Sequence, residues 1–295
     1  NKIFIKTEGK LVGNINGLAV IDTGIFSFGK PLRITCLALK GSGNVIDIHK
    51  ESKLSGKIHE KSIQTLTGLL YNIVSPYKKL PVDLHLSFEQ SYGVIEGDSA
   101  SVAEMIAMLS AISKKGIKQN IAVTGSLNQF GEVQAIGGVN EKIEGFFNIC
   151  KETSTYKGKG VLIPSSNKDE LVLSPEVEKA VKAGDFHIYE MEVLNDAIET
   201  LILEDNETLE DFNKAINEYG TKNGLKTTLL SSKIIYCIDK DISDLYERNL
   251  YIMEEDKDLW GLVYLGDIIK DIGICKKYLK NSGLYAAYEA ALKVV

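Results

Sequence analysis

The stretch EGDSASVAEMIAMLSAIS, residues 96–113, determines much of how this chain folds. Its first part is an acidic turn that contains a glycine, and its second part places large apolar residues on one side of a helix predicted from Ala100 to about Lys114. Small alanines between these apolar residues allow neighbouring elements to pack closely. The helix is therefore predicted to be buried on much of its surface, with Ser99 at its start.

Strands and helices alternate on the N-terminal side of this helix. Short β-rich runs separated by glycine turns fill residues 2–48 and predict a sheet assembled from hairpins. A helix is predicted over residues 55–74, and a strand with alternating apolar and polar residues over residues 82–89. This half of the pattern already mixes sheet with helix.

The same alternation continues on the C-terminal side. The runs 121–124 and 132–136 are predicted to pair as a hairpin, and a helix is predicted over residues 139–151. Strands at 161–163 and 186–189 and helices from 174, at 193–204 and at 207–219 follow. The predicted fold class is α/β for a domain of residues 1–220, and residues 221–295 are predicted to form a mostly helical segment of unknown role.

The composition excludes several classes of partner. Of the 295 residues, 44% are hydrophobic and 25% are charged, which suits a protein with a sizeable core. The net charge of −6 and the lack of a basic run argue against nucleic acid. No run approaches the roughly 18 apolar residues of a membrane span, so we expect a cytoplasmic protein without a membrane partner. Because the chain begins at Asn1 rather than Met, we interpret it as part of a longer protein.

No metal or cofactor site is predicted in this chain. Its cysteines are too far apart for a zinc or disulfide framework and are interpreted as buried thiols: Cys36, Cys150, Cys237 and Cys275. The run GIFSFGKP, residues 24–31, matches the phosphate-binding P-loop as far as its lysine. Pro31, however, stands where the pattern has a magnesium-binding hydroxyl residue, and strands flank the run on both sides, so we interpret it as a hairpin loop.

Ser99 is a candidate nucleophile. The start of a helix gathers unpaired backbone N–H groups and the positive end of the helix dipole, and both stabilise a developing oxyanion. The alternative is that Ser99 or Asp98 only caps the helix, with Ser101 and Glu104 forming a capping box. This segment alone leaves both interpretations open.

Lys142 is a candidate general base. It lies beside an apolar stripe of the helix that follows Gly137 and Gly138, so it is predicted to be half inside the core. Removal from water lowers the pKa of a lysine, and the neutral amine can take a proton from a serine hydroxyl. In the alternative interpretation, the lysine stem covers the stripe while its charged end reaches solvent.

The four histidines are less favoured candidates for the general base. His49 and His59 lie in polar stretches and are predicted to be solvated, whereas His85 lies on the polar face of the strand that leads toward Ser99. There His85 could orient other groups or simply be exposed. His187 permits a different arrangement, a Ser-Asp-His triad with Ser99.

The acid of that triad would be Asp169 or Asp185. Its nucleophile would have to sit in the sharp turn that reads G-x-S-x-G, and here Ser101 occupies the place of the last glycine. The side chain of Ser101 would crowd the turn, which weakens the triad as an alternative.

Four motifs taken together resemble the proteolytic domain of the Lon protease family: residues 88–92, 96–101, 124–126 and 137–142. The resemblance covers roughly residues 3–205, and the acidic residues before Ser99 resemble the archaeal-type branch and its bacterial relatives. It implies an α/β fold related to the second domain of ribosomal protein S5.

For the site, the resemblance implies a Ser-Lys dyad in which Ser99 is the nucleophile and Lys142 the general base. By the same analogy, Thr124 hydrogen-bonds the lysine and holds it toward the serine, while Glu96 and Asp98 shape the turn around Ser99. His85 is kept as a further supporting residue, from its place on the strand.

For function, the resemblance implies a serine endopeptidase that hydrolyses unfolded proteins or peptides inside a homohexameric ring. Members usually join this domain to an AAA+ motor, so ATP is expected only if such a motor is present elsewhere in a longer protein. Two alternatives remain: a catalytically silent domain of this type used for assembly or binding, and the Ser-Asp-His hydrolase that uses His187.

Overall fold

The computed structural model describes residues 5–74 and 82–216. The predicted C-terminal segment of residues 221–295, including Cys237 and Cys275, lies outside the described residues, and so does the end of the helix predicted to reach residue 219. Among the residues described, no helix is both long enough and apolar enough to cross a membrane.

The described part of the chain alternates strands and helices in the order that the sequence predicts. The strands are β1 (Lys10–Leu11), β2 (Asn14–Asp22), β3 (Ser27–Lys40), β4 (Val45–Asp47), β5 (Val82–Phe88), β6 (Ile117–Lys118), β7 (Ile121–Val123), β8 (Ser126–Leu127), β9 (Val133–Gln134), β10 (Lys159–Pro164) and β11 (Phe186–Met191). The helices are α1 (Ile48–Glu51), α2 (Lys57–Val74), α3 (Ser101–Ser113), α4 (Val139–Thr153), α5 (Pro175–Lys182), α6 (Leu194–Leu201) and α7 (Leu209–Ile216), with a 3-10 helix at Ser165–Glu170. The predicted α/β class is confirmed.

A mixed sheet with strand order β11-β10-β7-β2-β3-β5-β4 forms the centre of the domain. β2, β3 and β5 are antiparallel neighbours, whereas β7, β10 and β11 run parallel to one another and β7 runs parallel to β2. The run that resembles a P-loop, residues 24–31, begins in the loop of the β2-β3 hairpin and continues into β3, so the hairpin is confirmed but most of the run lies in a strand rather than in the loop.

The predicted hairpin between residues 121–124 and 132–136 is wrong. β7 instead lies between β2 and β10 in the central sheet, and the hairpin is formed by β8 and β9. All three residues of β7 are buried. A continuous apolar run of this kind is typical of an internal parallel strand, whereas a hairpin strand with one solvated face alternates.

Helix α3 lies in the middle of the core, as predicted. All thirteen of its residues are buried, and they belong to or contact a hydrophobic cluster that also includes residues of α2, α6 and α7. A second cluster surrounds α4 and is completed by residues of β10 and β11. The start of α3 and the start of α4 therefore both lie against packed apolar layers, which hold them rigidly.

The prediction that His49 and His59 are solvated is wrong. Their exposed fractions are 4% and 1%, and both rings pack edge-on against Phe88. The polar stretches around them misled the prediction because residues remote in sequence contact the two rings, among them Phe88 of β5. The thiols of Cys36 and Cys150 are buried as predicted, and burial raises the pKa of each to about 12.

Glu104, in the first turn of α3, is a buried carboxyl. Its exposed fraction is 0%, and neither of its carboxylate oxygens accepts a hydrogen bond within the described residues. Burial raises the pKa of this group to about 7, against the attraction of His59, which acts to lower it. Between its ordinary pKa of 4.5 and about 7, the folded protein holds a proton that the unfolded chain has released, so rising pH costs stability in this window.

Glu104→Gln removes this titration and keeps the shape of the side chain. We compare the free energy of unfolding of the unmodified protein with that of the variant. From pH 5 to pH 8, the unmodified protein should lose on the order of 2 kcal/mol relative to the variant. Urea denaturation at a series of pH values measures the difference. Glu178→Gln, on the exposed side of α5, is the matched control. A difference that stays constant across this range for Glu104→Gln would contradict a raised pKa of this buried carboxyl.

Candidate active site

The turn that contains Ser99 leads directly into α3, and we call residues 96–100 the serine turn. Gly97 has φ 91°, a left-handed conformation that favours glycine, and it redirects the chain just before the serine. The Ser99 side chain is half-buried, and its hydroxyl makes no hydrogen bond with any of the described residues. The hydroxyl is therefore available to a reacting partner.

The capping interpretation of this segment is wrong. The N-cap of α3 is Ala100, and no side chain caps this end of the helix. Ser101 is already the first helical residue, and its hydroxyl donates to the carbonyl oxygen of Asp98 rather than forming the predicted capping box. The backbone N–H groups of Ser99 and Ala100 donate no hydrogen bond within the described part of the chain. Two donors thus remain open beside the serine hydroxyl.

The two predicted acidic residues hold the serine turn from opposite ends. Glu96 accepts a hydrogen bond from the backbone N–H of Ile58 at 3.2 Å, and Asp98 accepts one from the Ser126 hydroxyl at 2.9 Å. A Cβ at Gly56 would lie 1.3 Å from the Glu96 carboxylate, so any larger residue there would displace this carboxylate. Glu96 and Asp98 therefore tie the turn to two different parts of the domain.

Lys142 lies inside the protein. It is in the first turn of α4, its exposed fraction is 2%, and its Nζ donates a hydrogen bond to Oγ1 of Thr124 at 3.1 Å. The interpretation in which the charged end reaches solvent is therefore wrong. Apolar partners that are distant in sequence complete the burial, which is why helical periodicity alone placed Lys142 only half inside.

Thr124 joins Lys142 to the serine turn. It follows β7, is fully buried, and its hydroxyl donates to the backbone carbonyl of Ser99 at 3.2 Å. The next residue, Gly125, donates its N–H to the same carbonyl at 2.9 Å and accepts a hydrogen bond from the N–H of Val102 at 3.1 Å. The structure thus brings Thr124, Lys142 and Ser99 together. The lysine amine and the serine hydroxyl make no direct hydrogen bond; the hydroxyl of Thr124 accepts from the amine and donates to the Ser99 carbonyl.

The amine of Lys142 is easily deprotonated. Burial lowers the pKa of Lys142 to about 8, although the negative charges of Asp98 and Glu141 act in the opposite direction. About one molecule in ten then carries a neutral amine at pH 7, compared with far fewer for an exposed lysine. The pKa of Lys142 therefore leaves part of its amine uncharged near neutral pH.

His187 lies far from the serine turn. It pairs with Gly160 of β10, which in turn pairs with Ile121 at the beginning of β7, whereas Ser99 contacts Gly125 beyond the end of β7. The offset is about 13 Å along the strands and about 10 Å across them. This geometry argues against His187 as the partner of Ser99.

The acids of the alternative triad do not support His187 either. Asp185 forms an ion pair with Lys157 at 3.1 Å, and Asp169 lies in the 3-10 helix. Among the described residues, neither makes an ion pair or hydrogen bond with His187.

His85 is half-buried in the middle of β5. Its neighbours across the sheet are Leu37 of β3 and Ile46 of β4, and it makes no hydrogen bond to the serine turn in the part of the chain that the structure describes. A supporting role for His85 stays a prediction.

Ser126 is a site residue whose role the sequence analysis did not assign. Its hydroxyl holds Asp98 and also lies 3.4 Å from the Gln134 amide oxygen. The available signal was its position two residues after Thr124, since alternate residues of an extended chain point to the same side. No group of three or more His, Cys, Asp or Glu side chains able to hold a metal ion occurs among the residues described.

Comparison with known proteins gives a consistent result. The family model described as the Lon protease (S16) C-terminal proteolytic domain matches residues 4–204. The chain is 43% identical over 220 residues to a putative Lon protease homolog of Haemophilus influenzae, covering 74% of this chain and 36% of that protein. It is 41% identical over 203 residues to a putative Lon protease homolog of Escherichia coli, covering 68% and 35%, respectively.

A more distant relative comes from the archaea. The archaeal Lon protease of Thermococcus kodakarensis is 34% identical over 227 residues, which are 74% of this chain and 32% of that protein. The chain thus spans about a third of the length of these curated relatives. The motifs around Ser99, Thr124 and Lys142 lie within the matched region, and the resemblance stated from them is confirmed: the chain belongs to the Lon protease (S16) family, with residues 4–204 matching its C-terminal proteolytic domain.

Proposed function

We propose that this chain is a serine peptidase in which Ser99 is the nucleophile and Lys142 the general base, acting on unfolded proteins or peptides. The observation that carries the proposal is the buried amine of Lys142, which is 2% exposed and hydrogen-bonded to a threonine that also contacts the Ser99 carbonyl. A buried lysine with a lowered pKa and a serine with a free hydroxyl are the two parts that such a dyad requires.

The proposed reaction begins with neutral Lys142. Its amine takes the proton of the Ser99 hydroxyl while the serine oxygen attacks the carbonyl carbon of a peptide bond. The free N–H groups of Ser99 and Ala100 are suited to receive the negative charge that develops on the carbonyl oxygen. The lysine ammonium then protonates the departing amine, and the peptide C–N bond breaks to leave an acyl-enzyme. A water molecule, deprotonated by Lys142 in the same way, releases the second product and restores the serine hydroxyl.

The neighbours of the dyad have complementary roles in this proposal. Thr124 fixes the lysine amine in position, and the negative charge of Asp98 stabilises the ammonium that forms during the attack. Ser126 and Ile58 hold the two acidic residues of the serine turn, so the turn keeps its shape as charge develops.

The larger context is also a proposal. Its support is the family membership and the size of the curated relatives, of whose length this chain spans about a third. We propose that the chain works in a longer, ATP-dependent protease of the cytoplasm, in which six copies form a ring. The ATP would be bound by a separate AAA+ domain. The relation of the fold to the second domain of ribosomal protein S5 belongs to the same proposal.

Cleavage of casein and of short fluorogenic peptides by the purified chain tests the proposed activity. We expect both to be hydrolysed and the activity to be inhibited by a peptide boronate. A chain that assembles into rings, cleaves neither substrate and does not react with a serine-directed inhibitor would instead support a silent assembly domain.

Thr124→Val should lower kcat about 10- to 100-fold, because the lysine amine loses the hydroxyl that positions it while the shape of the side chain is kept. Thr124→Ser is the matched control and should retain most of the activity, since it keeps the hydroxyl. Steady-state peptide hydrolysis measures both variants. Equal activity in Thr124→Val and the unmodified chain would contradict a positioning role for this hydroxyl.

A further inference from the structure

A second group of titratable side chains is buried beside the serine turn. We call Asp47, His59 and Glu104 the His59 cluster; their exposed fractions are 3%, 1% and 0%. Nε2 of His59 lies 3.2 Å from Oδ2 of Asp47, and Nδ1 lies 3.6 Å from Oε1 of Glu104. One imidazole ring therefore lies between two buried carboxylates, and the proposed reaction uses none of the three groups.

The three residues of the cluster come from three separate elements. Asp47 ends β4 and caps α1, His59 is in the first turn of α2, and Glu104 is in the first turn of α3. The ring is held from β5 by Phe88, with the ring centres 5.5 Å apart. His59 thus lies within ion-pair distance of both Asp47 and Glu104 of α3, although its ring nitrogens do not meet hydrogen-bond geometry with either carboxyl group.

The same turn of α2 also holds the serine turn. Ile58 donates its N–H to Glu96, and the hydroxyl of Ser62 lies 2.7 Å from that of Ser101, which in turn donates to the carbonyl of Asp98. These two contacts lie on either side of His59 in the sequence of α2. A shift of His59 relative to α3 would therefore move both attachments of the serine turn at once.

The charge on His59 determines how strongly the three side chains of the His59 cluster attract one another. Two buried carboxylates repel each other strongly, and a positive charge between them offsets the repulsion. Burial acts to lower the pKa of His59, but the contact with Asp47 and the negative charges of Glu104 and Glu96 outweigh it and raise the pKa. His49, the other imidazole nearby, packs against Phe88 and donates its backbone N–H to Asp47.

We infer that His59, as an imidazolium, is a positioning residue for the serine turn: it joins Asp47 to Glu104 and thereby keeps the start of α2, and the residues attached to it, in register with α3. This inference rests on the proposed function of Ser99. When rising pH removes the proton of His59, two buried carboxylates face each other without a bridge and the turn loosens. Peptidase activity should then carry a falling limb set by His59 in addition to the rising limb set by Lys142.

The test compares His59→Gln with a control that is destabilised elsewhere. Phe186→Leu removes volume from the second hydrophobic cluster, which contains neither the serine turn nor α2, and serves as that control. We expect His59→Gln to lower kcat about tenfold with KM within about twofold, and to abolish the falling limb set by His59. The double variant with Glu104→Gln should be no slower than His59→Gln alone, because both changes break the same connection.

Amide hydrogen exchange separates this inference from the proposed function, because it needs no substrate. The N–H of Gly125 donates to the Ser99 carbonyl and the N–H of Val102 to the Gly125 carbonyl, so these two amides connect the serine turn and the start of α3 to the segment that follows β7. In His59→Gln they should exchange at least about tenfold faster than in Phe186→Leu of similar melting temperature. If the two amides exchange faster in His59→Gln but the unmodified chain cleaves no substrate, the positioning role is supported and the proposed function is refuted.

The unmodified protein provides a second test, which does not require any variant to fold. Exchange at these two amides, corrected for the intrinsic pH dependence of exchange, should accelerate as His59 titrates. Its titration is followed by the NMR signal of the ring. Exchange that does not follow this titration, or a kcat loss that merely parallels melting temperature in all variants, would overturn the positioning role.

Discussion

Ser99→Ala is expected to abolish peptide hydrolysis, with a loss of at least about 10³-fold in kcat, while the chain remains folded. The reason for the loss is that alanine removes the oxygen that forms the acyl-enzyme. The reason for the retained fold is that the Ser99 hydroxyl is half-buried and makes no hydrogen bond with any described residue, so its removal leaves no polar group without a partner. Casein and peptide hydrolysis measure the first effect, and circular dichroism with thermal unfolding measures the second.

Ser87→Ala is the matched control for this experiment. Ser87 is a half-buried serine of β5 that likewise makes no hydrogen bond in the described part of the chain. It should retain full activity and stability. If Ser99→Ala were as active as this control, the nucleophile would be elsewhere and the proposed function of Ser99 would be wrong.

Lys142→Met should be equally inactive, and it should be more stable than the unmodified chain at pH 7. Methionine has a similar length but no base, so kcat should fall at least about 10³-fold at every pH. The stability gain follows from the lowered pKa, because protonation of Lys142 is less favourable in the folded protein than in the unfolded chain. Removing that penalty is worth on the order of 3 kcal/mol at pH 7.

The sign of this effect can be checked by its pH dependence. A lysine whose pKa is about 8 when folded and 10.5 when unfolded costs the fold its full penalty below pH 8, and the penalty disappears as pH rises toward 10.5. The stability difference between Lys142→Met and the unmodified chain, measured in urea, should therefore shrink across that window. Hydrolysis by Lys142→Met at the unmodified rate would show that another group acts as the base.

Lys159→Met is the control for burial. Lys159 is 5% exposed and donates to the backbone carbonyl of Thr7, so it is a second buried lysine that the proposed reaction does not use. It should keep its activity. Because its ammonium also pairs with the Glu8 carboxylate at 3.3 Å, whereas Lys142 has no ion pair among the described residues, its replacement should not give the stability gain expected at Lys142.

Local patterns in the sequence predicted the elements that carry the site. The spacing of apolar residues predicted α3 and α4 with ends close to those observed, because helical periodicity is a property of consecutive residues. The motifs around Ser99 and Lys142 identified the family for the same reason. These are the features that a single segment determines without its neighbours.

What the sequence did not predict depends on contacts between distant segments. The complete burial of Lys142, the burial of His59 and the position of β7 inside the central sheet each require partners from other parts of the chain. Ser101 shows the same limit within one motif. Its spacing to Glu104 matches a capping box, yet Ser62 from α2 lies within hydrogen-bond distance of its hydroxyl and Glu104 is buried beside His59.

The most direct measurement of the central claim is the pH dependence of the covalent labelling of Ser99 by a fluorophosphonate, with the labelled residue located by mass spectrometry. The account predicts that the label is on Ser99, that its rate rises with a midpoint near pH 8 set by the Lys142 amine, and that Lys142→Met is not labelled. A label on another residue, or a midpoint near 6.5 that disappears in His187→Ala, would contradict it.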